Sequence, residues 1–430
     1  MRLPKYTLAT LSEVKSAINI LKEVAFDVET KGFYGEILLA QFYQTDWDTA
    51  LVVSKPELLE LLAVLTPCKL VMHNASYEVS TIQTQLGNIV ATNMTYWAPS
   101  AWDDTLLLSK LQFFDKDKYS LDACYNYALG GDPYNALGID KKAMQKANWG
   151  APTEDMLLYA AIDVFYLLDL LEACNAARES SSYKLDIAAT NQAFKLQCNG
   201  FPLNKDLINT QIAKNDAAIK VLNMPINVNS WQQVRPYINE EDSDGLALAT
   251  YALAGNNKAK RVREARGLIK QNSFLTKFIR ESVDDRIYGK FTFTTKSGRG
   301  NCKDQNLQQL PRSTKGVFEA GAGKLLVMSD FAQLELRYIC TIANELAMAK
   351  LFKSGEDMHQ FTADMMGSTR QIAKTLNFNL AYGGSANMLR SIFIKDVGIL
   401  LDLNDVKDLK SKWHTLWYGL TKWQDQQTRD

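Results

Sequence analysis

The chain has 430 residues, 47% of them hydrophobic, enough for two or three cores of ordinary domain size. No stretch approaches the roughly 18 uncharged apolar residues a membrane span requires, and the first residues lack the apolar core of a secretory signal, so the expectation is a cytoplasmic protein with no membrane partner. Lysine plus arginine (48) balance aspartate plus glutamate (48), which neither excludes nor suggests nucleic acid, and six scattered cysteines fit buried free thiols, not a zinc ribbon or disulfide framework.

In chain order, "KSAINILKE" has a helical pattern and "EVAFDVET" is an apolar strand ending in acids. "EILLAQFYQ", "TALVVS" and "KLVMHNAS" are further strands, with "KPELLELLAVL" a helix among them, so the opening of the chain is α/β. Helical patterns run from "WDDTLLLSKLQ" through "TEDMLLYAAIDVFYLLDLLEACNAA" to the polar break "RESSSY", which places a domain boundary near residue 176. A helix, "LINTQIAKNDAAIKVL", a small capped unit, "NVNSWQQVRPYI", and basic helices follow. Between Lys258 and Arg299 twelve Lys or Arg stand against four Asp or Glu, interleaved with Phe274, Phe278, Tyr288, Phe291 and Phe293. That composition suits a surface that tracks phosphates, and it equally suits a solvated helical face. "YGKFTFTTKSGRG" and "KLLVMSDFAQ" read as strands, and helices occupy the remainder.

"FDVET" places Asp27 and Glu29 on one face of a strand end, where two carboxylates repel unless a divalent cation sits between them. Tyr159 and Asp163 in "YAAID" share a helix face at a spacing of four, and Asn74 and Glu78 in "HNASYEVS" have the same spacing. A few carboxylates are what a pair of hydrated divalent ions asks for, and such a pair can activate water and stabilise the leaving oxygen of a phosphodiester. These pieces, in this order, resemble the proofreading 3′-5′ exonuclease domain of family A DNA polymerases. The resemblance implies an RNase H-like α/β domain with a mixed sheet over 1–176, with Asp27, Glu29, Glu78 and Asp163 as ligands of Mg²⁺ (or Mn²⁺) and Tyr159 orienting the attacking water. Glu78 departs from the Asp usual at its position, and Asn74 and "WDDT" fall where the family pattern directs attention.

In "RQIAKTLNFNLAYGG", Arg370, Lys374, Phe378 and Tyr382 recur every four residues, a drift of about 40° per step that keeps them on one helix face. Two cations heading a stripe of two rings suit a nucleoside triphosphate. This segment resembles motif B of family A polymerases and "SDFAQLELR" resembles motif A. The resemblance makes Asp330 a catalytic metal ligand, Gln333 a minor-groove contact, Glu335 the group excluding a 2′-hydroxyl, and His359 in "GEDMH" an aid at the triphosphate. "SGRG" and "QNLQQLPR" are similar to the family's duplex-binding strand and turn, which assigns Arg299, Asn306 and Gln308 to primer-template DNA. Residues 177–286 would then be palm lead-in and a short thumb, and 287–430 the first part of palm and fingers, a mostly helical region on an incomplete α+β palm. Asn379 stands where the family has Gly.

The family's second metal carboxylate lies in motif C, an Asp directly after a His, yet His73, His359 and His414 precede Asn, Gln and Thr. The expectation is therefore the N-terminal part of a split or truncated replicative polymerase, phage-like and acting in an infected bacterial cell, with a second polypeptide supplying motif C and deoxynucleoside triphosphates as substrates. A stand-alone exonuclease with a vestigial polymerase half, or a non-catalytic DNA-binding scaffold, are the alternatives.

Overall fold

The computed structural model describes residues 2–427 apart from 91, 148, 296 and 322. Two compact units emerge, Met1–Asn204 with Arg280–Phe318, and Lys205–Ile279 with Glu319–Asp430.

The first unit is built on a six-stranded mixed sheet of β1 (Tyr6–Leu8), β2 (Glu23–Thr30), β3 (Ile37–Tyr43), β4 (Ala50–Ser54), β5 (Lys69–Met72) and β6 (Ala101–Asp104), in the order β1-β4-β3-β2-β5-β6. Strand β2 lies at the centre, antiparallel to β3 and parallel to β5. Its alternation decides the chemistry. Val24, Phe26 and Val28 point into a core shared with Leu61, Val79 and Ile82, while Ala25, Asp27 and Glu29 face the side covered by helix Glu154–Phe165. Every residue of β3 is buried, as a strand covered on both faces requires.

Local chemistry moves some expected boundaries. The first helix spans Leu11–Ala17 rather than "KSAINILKE", because Thr10 and Glu13 form a reciprocal capping box that starts it early. "WDD" is not helical but forms edge strand β6, after which Asp104 caps helix Thr105–Gln112. The long apolar run after Thr153 divides into Glu154–Phe165, Leu167–Ala173 and Asn175–Arg178. Among the described cysteines none is paired, and five of the six are buried.

The second unit is helical. Leu376, Leu380, Phe393, Trp413, Trp417 and Leu420 form one core and Val234, Ile238, Leu248 and Val262 another. The expected strand "KLLVMSDFAQ" is absent: 324–331 is irregular, with Leu325 89%, Val327 88% and Met328 96% exposed. A strand is defined by its ladder, and no described segment pairs with this one. No described helix is long and apolar enough to cross a membrane.

Candidate active site

Three elements converge on one cavity of about 750 Å³ in the first unit. Strand β2 delivers Asp27 and Glu29, helix Glu154–Phe165 delivers Tyr159 and Asp163, and helix Ala75–Ile89 delivers Glu78. One ligand oxygen from each of Asp27, Glu29 and Asp163 lies within 4.8 Å of the others. Glu78 lines the same cavity, 2% exposed, with its carboxyl hydrogen-bonded to Asp27. Gln41, directly across the ladder from Asp27, is fully buried with neither amide atom partnered within the described protein.

The support behind these groups is largely main-chain. Asp104 Oδ1 accepts from Asn74 N (3.0 Å) and Leu106 N (2.8 Å), and its Oδ2 from Ala75 N (3.0 Å). It thus ties together the starts of two helices, while Asn74 takes the left-handed turn (φ 73°) that launches the one carrying Glu78. The neighbouring Asp103 pairs with Arg178 at 2.5 Å and accepts from the Tyr183 hydroxyl at 2.9 Å. Two residues at the site gave no sequence signal. The Tyr134 hydroxyl donates to Asp163 Oδ1, and Lys141, which lines the cavity, pairs with Asp122 at 2.6 Å.

Burial raises the pKa of Asp27, pushes Glu29 and Glu78 well above the usual carboxyl range, and holds Asp163 at about 8, with neighbouring carboxylates adding to the rise in the last three. Oxygen-only donors whose negative charge is this costly fit a hard divalent cation. A carboxyl raised in the folded state binds its proton more tightly there, so without metal this site loses stability as pH climbs from 3.8 to about 8 through Asp163. A divalent ion reverses that penalty. Mn²⁺ at 100 times its Kd stabilises by about 2.7 kcal/mol, a rise of about 5–10 °C in Tm for a unit of this size. In thermal melts the Mn²⁺-induced rise is expected to be larger at pH 8 than at pH 6, where protons compete; equal shifts at both would contradict the assignment.

The expected nucleotide residues lie in the second unit. On helix Arg370–Ala381 and its C-terminal cap, Arg370 and Lys374 are exposed, Phe378 half-buried and Tyr382 58% exposed. Arg370 is engaged with Asp357 (2.8 Å), the carboxylate that caps helix Met358–Met366. His359 is 2% exposed, hydrogen-bonded to Asn377 (3.0 Å) and 5.5 Å from the Phe378 ring, so it supports that helix from beneath. Burial lowers its pKa to about 4 and keeps it neutral. Asn379 folds its amide back onto the Thr375 carbonyl (2.8 Å). Asp330 is exposed at the end of the irregular segment, Gln333 takes a left-handed turn (φ 53°) before helix Leu334–Ile342, and Glu335 is half-buried in its first turn. No second trio of metal-binding side chains gathers around Asp330 among the described residues. In the first unit, Arg299, Asn306 and Gln308 are exposed about the hairpin Lys290–Thr292/Asn301–Lys303, and Gln308 donates to Gly300 O at 3.2 Å.

A mixed sheet that gathers three carboxylates under a Tyr-x-x-x-Asp helix defines an exonuclease-type domain, here joined to a helical region bearing a cation-and-ring stripe. The family profile "DNA polymerase family A" matches residues 204–427 and "3'-5' exonuclease" matches 5–175, so the chain belongs to DNA polymerase family A. It is 27% identical over 383 residues to DNA polymerase I of Aquifex aeolicus, covering 76% of this chain and 64% of that protein. The thermostable DNA polymerase I of Thermus aquaticus is also 27% identical, over 258 residues, 51% of this chain and 29% of that one. The chain thus spans less than two thirds of the length of these relatives. The fold resembles the POL domain of Pol1 from M. smegmatis, solved in complex with DNA primer-template and dNTP, with TM-score 0.66, 16% identity, and coverage of 97% of this chain and 77% of that one.

Proposed function

We propose that this chain is part of a replicative DNA-directed DNA polymerase with its own proofreading 3′-5′ exonuclease. The convergence of Asp27, Glu29 and Asp163 within 4.8 Å carries the exonuclease reading. These three would hold Mg²⁺ or Mn²⁺, which supplies activation of water and stabilisation of the leaving oxygen when bound. Tyr159, four residues before Asp163 and lining the same cavity, orients the attacking water, and Lys141 at the cavity wall offers a cation to the phosphodiester. Glu78, which lines the same cavity and is hydrogen-bonded to Asp27, supports that ligand.

For synthesis, Arg370 and Lys374 neutralise the triphosphate and Phe378 and Tyr382 flank sugar and base, with Gln333 and Glu335 completing the nucleotide site and the buried His359 supporting the helix from beneath. Arg299, Asn306 and Gln308 contact primer-template DNA. The mycobacterial relative in fold holds a primer-template and dNTP, the same ligand classes. Asp330 would ligate metal in a palm completed by a segment bearing motif C. Two observations support that completion: the apolar side chains of 325–328 are uncovered, and Asp330 has gathered no carboxylate partners among the described residues. The second of these also favours a second reading, an exonuclease whose polymerase half does not act. Lys374→Ala discriminates. In single-nucleotide addition by the completed enzyme it is expected to lower the rate on the order of 10²-fold while leaving digestion unchanged; equal damage to both activities would refute two separate sites.

A further inference from the structure

Asp163 lies on a helix, and a carboxylate on a helix has several rotamers open to it unless something holds it. Tyr134 is positioned to do that. It sits in the short helix Pro133–Ala136, whose start is fixed by Pro133 and by Asp132, which accepts from Tyr134 N at 2.9 Å. The ring is 1% exposed, and its hydroxyl donates to Asp163 Oδ1. A buried phenol needs an acceptor, and a backbone carbonyl would serve. Tyr125, stacked beside Tyr134 with centroids 6.3 Å apart, makes that choice, donating to Ile162 O (3.3 Å) and Asp163 O (3.1 Å). Tyr134 instead takes the side chain. Lys141 Nζ lies 4.8 Å from the Tyr134 ring centroid, held there by Asp122. A cation on the ring face draws density from the phenol oxygen and strengthens its O–H as a donor. Tyr159 lines the cavity with the carboxylates, whereas Tyr134 lines the neighbouring cavity with Asp122 on the far side.

We propose that Tyr134 is a positioning residue of the exonuclease metal centre, its phenol locking the Asp163 carboxylate in the orientation that joins Asp27 and Glu29. The inference rests on the exonuclease reading above. Tyr159, whose ring is 5.5 Å from that of Tyr134, also reaches the Asp163 carboxyl but lines the cavity itself, whereas Tyr134 does not.

The test is Mn²⁺ binding to the full chain, read from the paramagnetic resonance of free Mn²⁺, with Asp163→Ala identifying the ions that belong to this site. Tyr134→Phe is expected to raise the Mn²⁺ Kd by about 10–100-fold. Digestion of single-stranded DNA by Tyr134→Phe should return to the wild-type kcat at saturating Mn²⁺, because only metal occupancy is lost. A wild-type Kd in Tyr134→Phe, or a lost rate that saturating Mn²⁺ does not restore, overturns the proposal. Should Tyr134→Phe fail to fold, Lys141→Met removes the cation and leaves the ring; the lost charge alone favours Mn²⁺ at the carboxylates, so weaker binding in spite of it supports the proposal, and an unchanged or lower Kd overturns it. A wild-type chain that binds Mn²⁺ at Asp163 and releases no nucleotide refutes the exonuclease reading separately, with the Kd comparison still decisive for Tyr134.

Discussion

Asp27→Ala is expected to reduce 3′-5′ digestion on the order of 10³-fold, the loss that follows when several kcal/mol of metal-borne charge stabilisation disappears. The reason is geometric. Asp27 is central to the cluster, sharing a strand face with Glu29, lying within ligand distance of Asp163 and accepting from Glu78. Its removal takes a ligand oxygen and strands Glu78, already buried at 2% exposure, without its hydrogen-bond partner. Primer extension by the completed enzyme should survive, because Arg370, Lys374 and Asp330 lie in the other unit. Initial rates of nucleotide release from a labelled single strand, wild type against variant, measure the effect; a loss of less than about tenfold, worth only about 1.4 kcal/mol, would remove Asp27 from the reaction.

Trp413→Ala should be the most damaging change to the second unit. Trp413 is fully buried, and its indole Nε1 donates to Asn377 Oδ1 at 2.8 Å. Asn377, also fully buried, donates in turn to His359 Nδ1 (3.0 Å) and Thr362 Oγ1 (3.1 Å), so one indole completes a polar network inside an apolar core. Truncating a buried tryptophan costs about 3–5 kcal/mol, and an orphaned buried acceptor adds about 1–3 kcal/mol. Against a typical total of about 5–15 kcal/mol, the unit approaches global unfolding. Urea denaturation followed by circular dichroism should show the midpoint falling sharply for Trp413→Ala and less for Trp413→Phe, which restores the ring but not the N–H. A wild-type midpoint in Trp413→Phe would show that the network contributes nothing.

The convergence of Asp27, Glu29 and Asp163 was legible because strand and helix periodicities map spacing onto faces. Asp27 and Glu29 at a spacing of two, and Tyr159 and Asp163 at four, needed only the correct element type to be placed together. The same periodicity located the stripe of Arg370, Lys374, Phe378 and Tyr382. Periodicity is silent about groups that arrive from irregular segments. Tyr134 comes from a four-residue helix and Asp104 acts from a strand end, so their partners are set by tertiary structure. His359 shows a different problem: the resemblance makes it an aid at the triphosphate, while burial places it beneath Phe378. "KLLVMSDFAQ" has the composition of a strand, but composition cannot supply the neighbour whose hydrogen bonds make one.

The most direct measurement of the central claim uses the purified chain, Mg²⁺ and a 5′-labelled primer on a longer template, resolved on a gel with and without the four deoxynucleoside triphosphates, beside Asp27→Ala. The wild-type chain is expected to shorten the primer in both conditions and Asp27→Ala to leave it intact. Shortening by Asp27→Ala at the wild-type rate would contradict that claim.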